Sequence, residues 1–264
     1  MPAVLTSLFA FVRTAARIVS RGAARIPGGS LLALVLSCQA QGADARNLGA
    51  FEAATDVGWP SRPGAVVYDP AARRYEIAGG GENMWFTNDA FHFVYTRLAG
   101  DFSLAAAIEW LGAGGNEHRK ACLVVREGLE PDAAYVDVAI HGNGLTSLQF
   151  REARGGPTRE IQFSQVQPAI TGLARQGEVF YALAAAAGEP LRPAGAFMRL
   201  AFKDSVYVGL GVCAHDDRAL EKARFSRVQL VRRQPDPAVQ PGLYSSLETI
   251  AIASKDRRVV LSLT

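Results

Sequence analysis

The sequence predicts an all-β protein, a sandwich or barrel in one main domain, and three observations carry that expectation. No stretch between residues 47 and 232 holds a sustained helical period. About a dozen short runs there are rich in β-branched and aromatic side chains. The 26 glycines and 13 prolines cut the 264 residues roughly every seven positions, too often for long helices.

In chain order, AVVYD and RRYEIAG flank the turn DPAA, and FHFVYTRL follows NDA. The run DFSLAAAIEW places Phe102, Leu104, Ala106, Ile108 and Trp110 on one apolar face with a period of two. KACLVVRE and AYVDVAIHG follow, then LTSLQFRE, TREIQFSQV and the glycine-punctuated pair TGLARQGEVFYALAAAAG. FMRLAF, VYVGLGVCAH and ARFSRVQLVRR complete the set. In AYVDVAIHGNGLTSLQFR, a two-residue turn mixes polar and apolar faces. A three-residue loop, Gly142-Asn143-Gly144, instead pairs Val138 with Leu148 and Val136 with Phe150. The same register sets Asp137 opposite Gln149 and Tyr135 opposite Arg151, with Gly144 in the left-handed conformation.

The ends read differently. Arg13, Arg17, Arg21 and Arg25 precede the apolar run LLALVL and the small-residue site Ala43-Asp44-Ala45, the layout of an export signal cleaved after Ala45. Cys38, in VLSC, is an alternative lipidation site. The apolar run is far shorter than the roughly 20 residues a membrane span needs. The domain plan is an export segment at 1–45, the sandwich at 46–232, a Pro-rich linker at 233–243 and a final hairpin at 244–264. Location is therefore expected to be periplasmic or secreted, with a lipoprotein anchored through Cys38 as the alternative.

Beyond residue 45, the 24 basic and 24 acidic residues cancel, and no basic stripe is present. That argues against a nucleic-acid partner. Cys122 and Cys213 lie in apolar runs and read as separately buried thiols. The four histidines, at 92, 118, 141 and 215, lack metal-ligand spacing. Asn88-Asp89 and Asp216-Asp217 carry oxygen ligands of the kind calcium uses, but such pairs are more often simple turns, and no cofactor is expected.

GGGENMWFTNDAFHFVY is the most unusual stretch. It is no phosphate cradle, because a strand pattern follows the glycines where a helix is required. Gly79 to Gly81 read as a bulge or turn. Trp85 and His92 are expected to border a polar sheet face formed by Arg126, Tyr135, Asp137, Gln149 and Arg151, which supplies an aromatic platform and planar polar groups suited to a carbohydrate. The competing expectation is an ordinary solvated sheet face, with Trp85 packed in the core.

The segments GGGENMWFTNDAFHFVYTRLAGDFSLAAAI, KACLVVREGLEPDAAYVDVAIHGNGLTSLQFRE and VYVGLGVCAH resemble the concanavalin A-like (laminin-G-like) jelly-roll domains of the DUF1349-type group in exported bacterial proteins. The tail SSLETIAIASKDRRVV is similar to the opening strands of a TolB-like six-bladed propeller. The resemblance implies a two-sheet antiparallel jelly roll used for carbohydrate binding, for glycanase catalysis or as a spacer. Glycanases of this fold carry Glu-x-Asp-x-x-Glu on one strand, a run absent here, and no G-x-S-x-G is present. The expectation is thus a non-catalytic module for a carbohydrate or an envelope protein. A domain that positions a propeller is the first alternative, and a cryptic glycoside hydrolase the second.

Overall fold

The computed structural model describes residues 47–232 and the backbone of two further strands. The expected signal, Ala45, Cys38 and the linker all lie outside the described residues. The strands are β1 (Ala53–Val57), β2 (Ala65–Asp69), β3 (Arg74–Gly79), β4 (Met84–Trp85), β5 (Asn88–Asp89), β6 (Phe91–Leu98), β7 (Phe102–Leu111), β8 (Lys120–Arg126) and β9 (Tyr135–His141). They continue as β10 (Thr146–Arg151), β11 (Arg159–Gln162), β12 (Ile170–Gln176), β13 (Val179–Ala185), β14 (Arg192–Arg199), β15 (Val206–Cys213), β16 (Glu221–Arg232), β17 (Thr249–Ala253) and β18 (Arg258–Ser262).

Two seven-stranded antiparallel sheets form a jelly-roll sandwich. One runs β1-β6-β15-β8-β9-β10-β11 and the other β14-β13-β12-β7-β16-β3-β2. Strands β15 and β16, adjacent in sequence, insert into the middle of opposite sheets. The last strands therefore close both layers, the long-range crossover expected of Greek-key sandwiches.

Between the sheets, Phe102, Leu104, Ala106 and Ile108 of β7 meet Leu123, Val125, Val136, Val138, Leu148 and Leu210, all in one buried cluster. The predicted period of two on β7 is therefore its core face. The β9–β10 register also holds. Val138 pairs with Leu148, Asp137 with Gln149 and Tyr135 with Arg151, and Gly144 has φ +87°. Cys122 and Cys213 are buried free thiols.

Three elements depart from the expected layout. β1 has no alternation to announce it, and its apolar contacts come from pairing with β6 at the sheet edge. β14 begins at Arg192, earlier than FMRLAF, because its ladder with β13 includes Leu183 opposite Pro193. The third is the two-residue pair β4–β5, which joins neither large sheet. It lies against the outer face of the first sheet, where Met84 buries with Val57, Phe91, Phe93, Cys122, Val124, Ala139 and Cys213 in a second apolar cluster. Strands β8, β9 and β10 are consequently buried on both faces.

Candidate recognition site

The glycine triplet is what lets the chain cross so close to the sheet. A β-carbon at Gly79 would stand 2.0 Å from the Val212 carbonyl oxygen, and one at Gly81 would stand 1.9 Å from the Ala90 oxygen. Gly81 also has φ +102°, a conformation that side chains resist. Close backbone approach, rather than turn flexibility alone, is the reason for the motif. Beyond it, Ala90 N–H donates to the Asn83 oxygen (2.7 Å) and Asp89 N–H to the Pro131 oxygen (2.9 Å), closing the hairpin onto the body.

The polar sheet face lies beneath this hairpin and does not face solvent. Arg126, Tyr135, Asp137, Gln149 and Arg151 do gather on one face, but all are at most 1% exposed. That corrects both expectations for the face: it is neither an open ligand platform nor a solvated surface. A polar alternation reads the same whether water or a covering segment satisfies it, and here the cover is residues 80–90.

Asp89 is the centre of the cover. Arg151 holds its carboxylate through both terminal nitrogens (2.8 Å each), and Arg126 Nη1 adds a third bond at 2.6 Å. The guanidiniums are otherwise occupied by carbonyls: Arg126 donates to Gly128 and Glu130, and Arg151 to Gly156 and Ala133. The Tyr135 ring lies between them, 5.4 Å from the Arg126 guanidinium and 4.9 Å from that of Arg151. Its hydroxyl donates to the Met84 carbonyl, and burial pushes its pKa well above the usual phenol value. A buried charge group of this kind contributes little net stability, but it specifies one arrangement, and losing one member leaves charge uncompensated. Here it specifies where the hairpin sits.

Trp85 is half-buried on the hairpin, with the Lys120 ammonium 5.8 Å from its ring centre, and Lys120 donates to Asn83 at 2.7 Å. His92 does not border this face. On β6 it pairs with Val212, so it points with Val94 to the opposite side of the sheet, where Nδ1 lies 2.7 Å from Asp56 Oδ1. Neither Asp pair offers a free set of calcium ligands. Asp89 is saturated by arginines, Asp217 accepts from Ser61, and Asp216 from the Arg218 amide.

What the buried network presents to solvent is Phe86. It is the first turn residue between paired Trp85 and Asn88, at φ +50° and 71% exposed. Glycine normally fills a hairpin position of that conformation. Phe86 is held there because its carbonyl accepts from Thr158 N–H at 2.8 Å and from Arg151 Nη2 at 3.3 Å. Pro157 and Arg159, on either side of Thr158, line a shallow depression with Glu152, Ala153 and Gly156. Arg159 and Glu152 form an exposed ion pair at 3.3 Å on its rim. Across the hairpin, Trp59 is 88% exposed and follows Gly58, which rests against Asp89 and Ala90. Phe86, Glu152 and Arg159 went unmarked as site residues, because their juxtaposition depends on the path of the cover and leaves no local pattern.

No family model matches the sequence, and no curated protein matches it. Among solved structures, a functionally unknown protein from Saccharomyces cerevisiae aligns with a TM-score of 0.52 at 14% identity, over 67% of this chain and 96% of its own. A carbohydrate-binding module from Bacillus subtilis aligns at TM-score 0.44 and 13% identity, over 69% of this chain and 98% of that one. Lectin II from Ulex europaeus aligns at 0.42 and 4%, over 69% and 98%. At 14% identity the first of these likenesses is one of fold alone: a two-sheet antiparallel jelly-roll sandwich.

Proposed function

We propose that this domain is a non-catalytic, exported recognition module that binds a glycan or another cell-envelope partner at the rim of the β4–β5 hairpin. The observation that carries the reading is Phe86, an exposed aromatic ring in a strained conformation, fixed by a buried arginine. Strain of this kind persists only where surrounding structure over-determines it, and it clusters at binding sites. The backbone bond from Thr158 to Phe86 ties this exposed ring to the chain segment that carries the Glu152–Arg159 pair, which together supply a stacking face and planar polar groups, the combination a sugar ring uses. The fold-level resemblance to carbohydrate-binding modules is compatible with this reading, but fold alone does not assign function.

The test is an array of bacterial envelope glycans probed with the full chain, with Phe86→Gly and Trp59→Ala as comparators. Retention of at least one glycan by the wild type and its loss in Phe86→Gly is the expected result. Release of reducing sugar from the bound glycan would replace this reading with a glycanase. A second reading, a domain that positions a TolB-like propeller, is favoured by one observation: residues Thr249–Ala253 and Arg258–Ser262 form the antiparallel hairpin with which such a repeat opens. A wild type that binds nothing on the array would favour it.

A further inference from the structure

Beneath the hairpin, the buried face contains one carboxyl group without a partner. Asp137 is wholly buried and meets no nitrogen or oxygen donor, the weakly donating Cys122 thiol being the one donor that faces it; the amide oxygen of Gln149, its cross-strand neighbour, is also unpartnered. The donors nearby are committed elsewhere. All three donor nitrogens of Arg126 bond Gly128, Asp89 and Glu130, Arg151 serves Asp89 and the surrounding carbonyls, and Lys120 donates to Asn83. The remaining titratable neighbours are the Asp89 carboxylate on β5, whose charge also disfavours ionisation of Asp137, the Cys122 thiol on β8 and the Tyr135 phenol, all themselves buried. An ionised carboxylate without partners does not tolerate such a site, whereas a neutral carboxylic acid does so at lower cost.

We infer that the β4–β5 hairpin is a proton-linked cover: it closes over Asp137 when that residue carries a proton, and opens more readily when Asp137 is ionised and needs water. Burial pushes the Asp137 carboxyl well above the usual carboxylate range, although Lys120 opposes the shift. With the cover open, water restores ordinary acidity. The closed state thus binds one more proton than the open state across the interval between those two values. Closure is fully favoured below the ordinary carboxylate value and is lost as pH rises towards the closed-state value, with opening increasing up to tenfold per pH unit within the interval. The balancing element is the Asp89 charge group, which holds the cover shut. This inference is independent of recognition through Phe86.

Hydrogen exchange read by mass spectrometry on the full chain tests it, following the amides of residues 83–90 from pH 5 to pH 8 with intrinsic rates divided out. Their protection is expected to fall as pH rises, by up to tenfold per unit, while the β7 amides keep theirs. Asp137→Asn, which cannot ionise, is expected to remove the slope. A flat wild-type profile, or a slope that survives in Asp137→Asn, overturns the proposal. Should Asp137→Asn not fold, the carbon chemical shift of the wild-type Asp137 carboxyl at pH 6 decides. A protonated group supports a proton-linked cover, and an ionised one, paired with Lys120, refutes it.

Discussion

Asp89 illustrates how much of this molecule turns on single side chains. Its carboxylate is the only acid within bonding distance of Arg126 and Arg151 among the described residues, and both arginines are fully buried. Removing it strands two guanidiniums. Asp89→Ala is therefore expected to cost about 3–5 kcal/mol, read by chemical denaturation, with the loss of Phe86 presentation following from the same change. In the sequence, Asp89 looks like half of an Asn-Asp turn, because its two partners come from strands 37 and 62 residues downstream. His92 shows the opposite error. Its alternation with Phe91, Phe93 and Tyr95 was legible, but which face of β6 met the polar network depended on the pairing of β6 with β15. A residue type and a period do not supply that.

At the scale of elements, legibility followed contact range. The β9–β10 hairpin was readable to the residue, because only one loop length keeps the apolar sets together. Inserting one alanine after Leu148 should invert the faces of β10 beyond that point and drive Gln149 and Arg151 towards the core. The expected outcome is loss of cooperative unfolding and of the near-ultraviolet circular dichroism signal. By contrast, β4 and β5 have two residues each and no period at all. Their conformation is imposed by Thr158, Pro131 and Arg151, so the cover and its aromatic tip were invisible until those contacts were placed. The same cover explains why β8 to β10 are buried on both sides despite alternating polarity.

The whole molecule joins two buried layers of different chemistry. The inter-sheet core is mainly apolar, and it was legible in the sequence as strand patterns. The second layer is mixed, and its groups respond to pH in opposite directions. His141, 3% exposed, donates from Nδ1 to the Leu145 oxygen at 3.0 Å, and burial lowers its pKa to about 4. Its folded value lies below the unfolded one, so its contribution is complete above about pH 6.5 and is lost as pH falls towards 4. Global stability is expected to decline by about 2 kcal/mol from this residue between pH 7 and pH 4.5. Denaturant titrations at the two pH values, wild type against His141→Gln, check this, and the variant should lose that part of the decline.

The central claim is that a buried charge network holds an aromatic ring in a strained pose for recognition. Phe86→Gly tests it most directly, with unfolding and glycan binding measured on the same preparation. Relief of the left-handed conformation should raise stability by up to about 1 kcal/mol while binding of the glycan retained by the wild type is lost. A variant that is less stable than the wild type, or that binds as well, contradicts the account.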